Sequence, residues 1–244
     1  MHFRMAGRSF SVHPVWLLIT LTVFVILIKL GWWQLSRAVE KEQQLQQLAS
    51  WQAEGPLSWT QLQQLPLAEA DLVQIADQAR WLAPRVWLLD NKMVQSRIGY
   101  DVVIPVQFNR FDPPVLVNLG WVPAAGSRNE LPDIEIPEEL PIRGLLRTSF
   151  GSFRLGQNLE AGGDWPMRIQ QIELESINPY LPEPALPAVI YQMEQSPFLP
   201  HYQPVVLPPE KHRGYALQWF MLGVAALGVA LAASLRKEDD NEQN

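Results

Sequence analysis

The sequence predicts a membrane protein in which two transmembrane α-helices, N- and C-terminal, flank an α+β, antiparallel β-rich extracytoplasmic domain. Two observations predict this. The chain is 48% hydrophobic, yet its mean hydropathy is only −0.05, so the apolar residues must be concentrated; two long apolar runs hold them, one near each end. Between those runs lie short stretches rich in Val, Ile and aromatics, separated by turn-forming residues, which is the pattern of strands.

Composition excludes several functions. With a net charge of −6 and no basic run, the chain has no footprint for nucleic acid. Cys is absent, which removes disulfides, thiolate metal sites, thiol nucleophiles and covalent c-type haem attachment. The 10 Trp suit membrane-interface belts, and the 21 Pro suit a domain rich in turns.

Residues 1–13 form an N-terminus assigned to the cytoplasm, carrying Arg4 and Arg8. The first transmembrane helix is assigned to residues 14–33. Its apolar run, Val15 to Ile28, lies between Trp16 and Trp32, which stand about 24 Å apart along a helix and anchor it at two interfaces. Lys29 snorkels to one of them. A cleaved signal peptide is the competing reading, but Ser36 and Ala38 make only a weak cleavage site and the run is long.

Residues 34–211 form the outer domain. From Gln34 to Gln52, apolar residues at helical spacing alternate with Arg37, Glu40, Lys41 and Glu42, so the first helix continues outward until Gly55-Pro56 stops it. A short helix is expected around Ser58 to Leu65, and helix is also expected over Leu67 to Ala79. From Arg85 onward VWLLD, YDVVIPVQF, PVLVNLGWV, LPIRGLLR, MRIQQI and AVIYQM read as strands. Pro105 marks an edge or a bulge. Ile177 to Pro187 and Phe198 to His212 read as extended connections.

The second transmembrane helix is assigned to 212–235 and an acidic cytoplasmic tail to 236–244. Tyr215 to Leu235 would span about 31 Å, a bilayer's hydrocarbon thickness. Small-residue pairs, Ala226 with Ala230 and Gly228 with Ala232, permit close helix contact. Basic residues are balanced between the two sides: Arg4, Arg8, Arg236 and Lys237 against Arg37, Lys41, Lys211 and Arg213. The first segment has the form of a signal anchor whose basic residues stay inside. Both termini are therefore expected in the cytoplasm and the central domain outside it.

No nucleotide loop, zinc motif or hydrolase elbow is present, and the chain is not expected to be an enzyme. His212, Tyr215 and Trp219 are the candidate site. Their i, i+3, i+7 spacing groups them on one helix face at the mouth of the second span. An imidazole beside aromatic rings suits an axial haem ligand, with His212 at the iron and Tyr215 and Trp219 lining the pocket. Equally, aromatics and a juxtamembrane His are ordinary membrane-interface residues. His13 would lie across the hydrocarbon core from His212, and His201 is on the same side but in a loop.

Several stretches together resemble the surfeit locus protein 1 family. LGWWQLSRAVEK (Leu30 to Lys41) is similar to the family's L-G-x-W-Q-L-x-R-x-x-x-K. LLDN (Leu88 to Asn91), then GYDVVIPV from Gly99, is similar to L-D-N followed by G-Y-x-V-x-x-P. LVNLGWVP (Leu116 to Pro123), RGLLR from Arg143 and HRGYALQWF (His212 to Phe220) follow in the family's order. The resemblance runs from about residue 14 to 235. It implies an assembly factor for haem-copper cytochrome c oxidase in the bacterial inner membrane, with its central domain in the periplasm. It implies a chaperone that binds haem a at His212, beside Trp219, and assists its insertion into the catalytic subunit. The oxidase catalytic subunit, haem a synthase and other oxidase assembly factors are the implied partners, besides membrane lipid. The alternative is a membrane scaffold that stabilises an early oxidase intermediate without binding haem. The pattern's Arg in N-R-G-W is Leu119 here, so a contact made through that Arg is not carried over.

Overall fold

The computed structural model describes residues 2–5, 8–11, 13–126, 130–148, 158–159 and 164–239. The chain divides into two units, residues 1–46 with 205–244, and residues 47–204.

The first unit opens with a hairpin of β1 (His2–Met5) and β2 (Arg8–Ser11), which the sequence did not predict. Helix α1 (Pro14–Glu54) is continuous over 41 residues, as the uninterrupted helical spacing through Gln52 predicts. It stops at Gly55, whose positive φ of 80° closes the last turn without a Cβ penalty. The second unit takes in the last residues of α1, from Gln47, and then α2 (Trp59–Leu62), a 3₁₀ turn at Leu67–Glu69 and β3 (Gln74–Trp81). Ser58 and Gln61 form a capping box for α2. The helix expected over Leu67 to Ala79 is therefore a turn followed by a strand. Strand β3 alternates, with Ile75 and Ala79 buried, but its Gln, Asp and Ala residues carry little strand propensity.

The six predicted runs form β4 (Trp87–Val94), β5 (Arg97–Gln107), β6 (Val115–Pro123), β7 (Glu139–Arg147), β8 (Met167–Ile169) and β9 (Val189–Gln192), with α3 (Leu174–Ile177) between the last two. The order β3-β7-β9-β6-β5 closes on itself because β5 also pairs β3, through Arg80 with Gln107 and Trp81 with Val106. The β domain is thus a closed five-strand barrel, with β4 and β8 continuing the sheet from β5. It is not wholly antiparallel: β4 pairs β8, and β6 pairs β9, in parallel.

Pro105 sits where β5 changes partner from β4 to β3. Its carbonyl accepts the Leu82 N–H at 3.0 Å, so its nitrogen, lacking a proton, faces that same changing edge. A second irregularity opposes Val102 and Val103 to Gly120 and Asn118, leaving Leu119 as the bulged residue of β6. Leu119 is fully buried in the main core, which explains how an apolar residue serves where the resembled pattern has Arg. Strand β5 carries eight consecutive buried residues because both of its faces are covered. Val102, Ile104, Val117, Ile142 and Ile190 fill one cluster. On the other face Trp87, Val103, Leu116 and Val189 pack under α3 through Ile177.

Helix α4 (Pro209–Asp239) returns the chain to the first unit. The connection before it is extended only in part: it exchanges two hydrogen bonds between Leu199 and Trp121, then enters the helix at Pro209. Both α1 and α4 are long and apolar enough to cross a membrane, with mean hydropathies of 2.2 and 1.9 over their most apolar windows.

Candidate functional site

Within the first unit, α1 and α4 pack antiparallel along a seam of small residues. Ala38 and Ala216 are each 1% exposed. A Cβ on Gly31 would overlap the Phe220 ring, and Gly223 lies against Phe24 and Ile28. Phe220 in turn meets Trp32 edge-on, at 6.3 Å between centroids and 75°. Arg213 closes the polar end of the seam by donating to Glu42 Oε1 at 2.5 Å. Of the small pairs expected in α4, Ala226 and Ala230 are half-buried, whereas Gly228 and Ala232 are exposed and Gly228 has open space around it; Gly223 is the α4 glycine that lies against α1.

His212 lies in this seam, 8% exposed. Its Nδ1 is 2.8 Å from Oε1 of Gln34 on α1. With the amide oxygen accepting, the proton is on Nδ1 and the lone pair on Nε2. Nε2 has no hydrogen-bond partner among the described residues, and it is not among the fully enclosed unpartnered atoms. Trp219 is half-buried and Tyr215 is 43% exposed. The seam turns on His212, Ala216 and Gly223, so Tyr215, about 60° round the helix from His212, falls outside it. His13 begins α1 roughly 30 Å along the axis from Gln34, where its Nδ1 meets the Val15 N–H. Among the described residues no group of three or more His, Asp or Glu is placed to hold a metal ion.

The donor set at His212 fits one axial position of a haem: one ring nitrogen is held by Gln34 and the other is open among the described residues. Gln34 stands 178 positions away in sequence. The only sign of it in the sequence is its place in the LGWWQL stretch.

The β domain holds a second polar cluster that sequence reasoning did not assemble. Asp101, 2% exposed, accepts from His201 Nε2 at 2.6 Å and from Asn118 Nδ2 at 2.9 Å, with Lys92 Nζ at 3.8 Å. His201, expected as a loop residue, is engaged there. The cluster borders a cavity of about 120 Å³. Tyr202 stacks on Tyr191 beside it, with centroids 3.7 Å apart. Burial, then the neighbouring Tyr202 and Asp101, push the Tyr191 phenol up to about 12. Tyr202 also accepts from Arg147, which pairs with Asp71 at 3.0 Å. The Asp71 carbonyl in turn accepts from Gln47 at 3.1 Å. The first and last segments of the β domain are therefore tied to one patch.

A family model described as SURF1 family matches residues 21–224, most of the chain. No curated protein matches it.

Proposed function

Because this chain belongs to the SURF1 family of cytochrome oxidase assembly factors, we propose that it binds haem a through His212 and assists its insertion into the catalytic subunit of a haem-copper oxidase. One observation carries this reading: His212 is held by Gln34 at Nδ1, and Nε2 has no hydrogen-bond partner among the described residues. Trp219 and Tyr215 are the flanking rings against which a porphyrin would pack. Haem supplies the iron and its redox chemistry. The chain supplies the nitrogen, the orientation of the imidazole and an apolar surround. Haem a synthase and other oxidase assembly factors are the further partners.

The topology belongs to the same reading. Helices α1 and α4 cross the bacterial inner membrane, both termini are cytoplasmic, and the barrel is periplasmic. Alkaline phosphatase fused at residue 150 is then active; a stably expressed but inactive fusion contradicts this placement.

The deciding experiment is expression alongside haem a synthesis, followed by absorption spectroscopy of the purified wild-type and His212→Ala proteins. Haem present in the first and lost in the second supports the ligand. Equal haem content and an unchanged coordination spectrum refute it. A haem-free wild-type protein whose deletion still impairs oxidase assembly points to the scaffold instead.

A further inference from the structure

Gln34 makes the one hydrogen bond to the His212 ring among the described residues. It lies one turn beyond Gly31, whose missing side chain admits the Phe220 ring of α4. The Arg213 to Glu42 bond braces the next turns. The amide therefore meets the imidazole from a fixed direction, on the neighbouring helix. This matters because neutral imidazole in water favours the proton on Nε2, the form that blocks Nε2 as a ligand. A carbonyl oxygen 2.8 Å from Nδ1 reverses that preference. It also does so without charge. A carboxylate there would pull the Nδ1 proton and make Nε2 a stronger electron donor, whereas an amide adds no charge.

We propose that Gln34 is a positioning residue, whose side-chain oxygen holds His212 in the Nδ1–H tautomer and so presents Nε2 to iron. Its purpose rests on the haem reading above; the tautomer itself does not.

The test uses the full chain in lipid nanodiscs, with ¹⁵N-labelled histidine and His212→Ala to assign the signal. In the haem-free wild type the His212 signals are those of Nδ1–H with a bare Nε2. In Gln34→Leu they move to Nε2–H or to a mixture. Titration with iron protoporphyrin IX gives affinity weakened about tenfold or more in Gln34→Leu. Gln34→Glu keeps binding, with a lower reduction potential. Gln34→Asn, which keeps the amide but falls short of the ring, behaves as Gln34→Leu and serves if that variant does not fold. A wild-type His212 protonated at Nε2, or a tautomer unchanged in Gln34→Leu or Gln34→Asn, overturns the proposal. A wild type that shows the Nδ1–H tautomer but binds no porphyrin overturns the haem reading and leaves the positioning contact standing.

Discussion

Trp59 donates its indole N–H to Asp112 Oδ2 at 2.7 Å, across 53 positions of chain. The Trp59 backbone N–H is held by Asp77 on β3 at 2.8 Å, and its ring stacks on Phe108 at 4.3 Å and 9°. A helix of four residues is thereby fixed to the barrel by its first side chain, which is 2% exposed. Asp112→Ala leaves that buried N–H without its acceptor. The expected cost is about 1–3 kcal/mol, seen as a lowered thermal midpoint by near-UV circular dichroism. An unchanged midpoint would show that water replaces the carboxylate.

The same carboxylate gives a pH dependence. Burial raises the Asp112 pKa, but hydrogen bonds from Asn109, Gln63 and Trp59 outweigh it and hold the group below its ordinary value. A depressed folded value means the stabilisation is present above the unfolded pKa, about 3.9, and is lost as pH falls through the folded one. The midpoints of wild type and Asp112→Asn therefore differ at neutral pH and converge in acid. A gap that stays constant down to pH 3 would be the wrong result.

Gly31→Leu should separate the two long helices, since any side chain there meets the Phe220 ring. Overpacking of this kind costs about 1–3 kcal/mol. The readout is His212 itself: modification by diethylpyrocarbonate, slow in the wild type at 8% exposure, speeds up several-fold. Equal rates would mean that the seam tolerates the added volume.

Gly120 carries φ of +118° at the β6 bulge, and a Cβ there would stand 2.6 Å from the Leu199 carbonyl oxygen. Gly120→Ala combines backbone strain with a clash against backbone, for an expected loss of about 1–3 kcal/mol. Hydrogen exchange should rise at the Leu199 and Trp121 amides, which bond each other's carbonyls across this point. Protection kept at both would contradict the assignment.

What the sequence reveals here depends on how local the cause is. The six strand runs are legible because Val, Ile and aromatic residues are concentrated in them and turn formers such as Asp112-Pro113-Pro114 separate them, although Asp90-Asn91, which reads as a turn, lies inside β4 at a register shift. Strand β3 is not, because its place depends on β7 and β5 rather than on its own propensities. Barrel closure and the parallel β6–β9 pairing are facts of pairing, which no local pattern encodes. His212 is legible at the mouth of an apolar helix. The exposure of Tyr215 and the partnership with Gln34 are not, since both depend on which side of α4 faces α1.

The Asp71 patch has an engineering corollary. Gln47, near the start of the β domain, bonds the Asp71 carbonyl, while Tyr202, two residues from its end, is tied to Asp71 through Arg147. A barrel whose two leads emerge from one spot is a cassette. It can be excised or transplanted into a host loop with a short bridge, because neither lead has to cross the domain to meet the other.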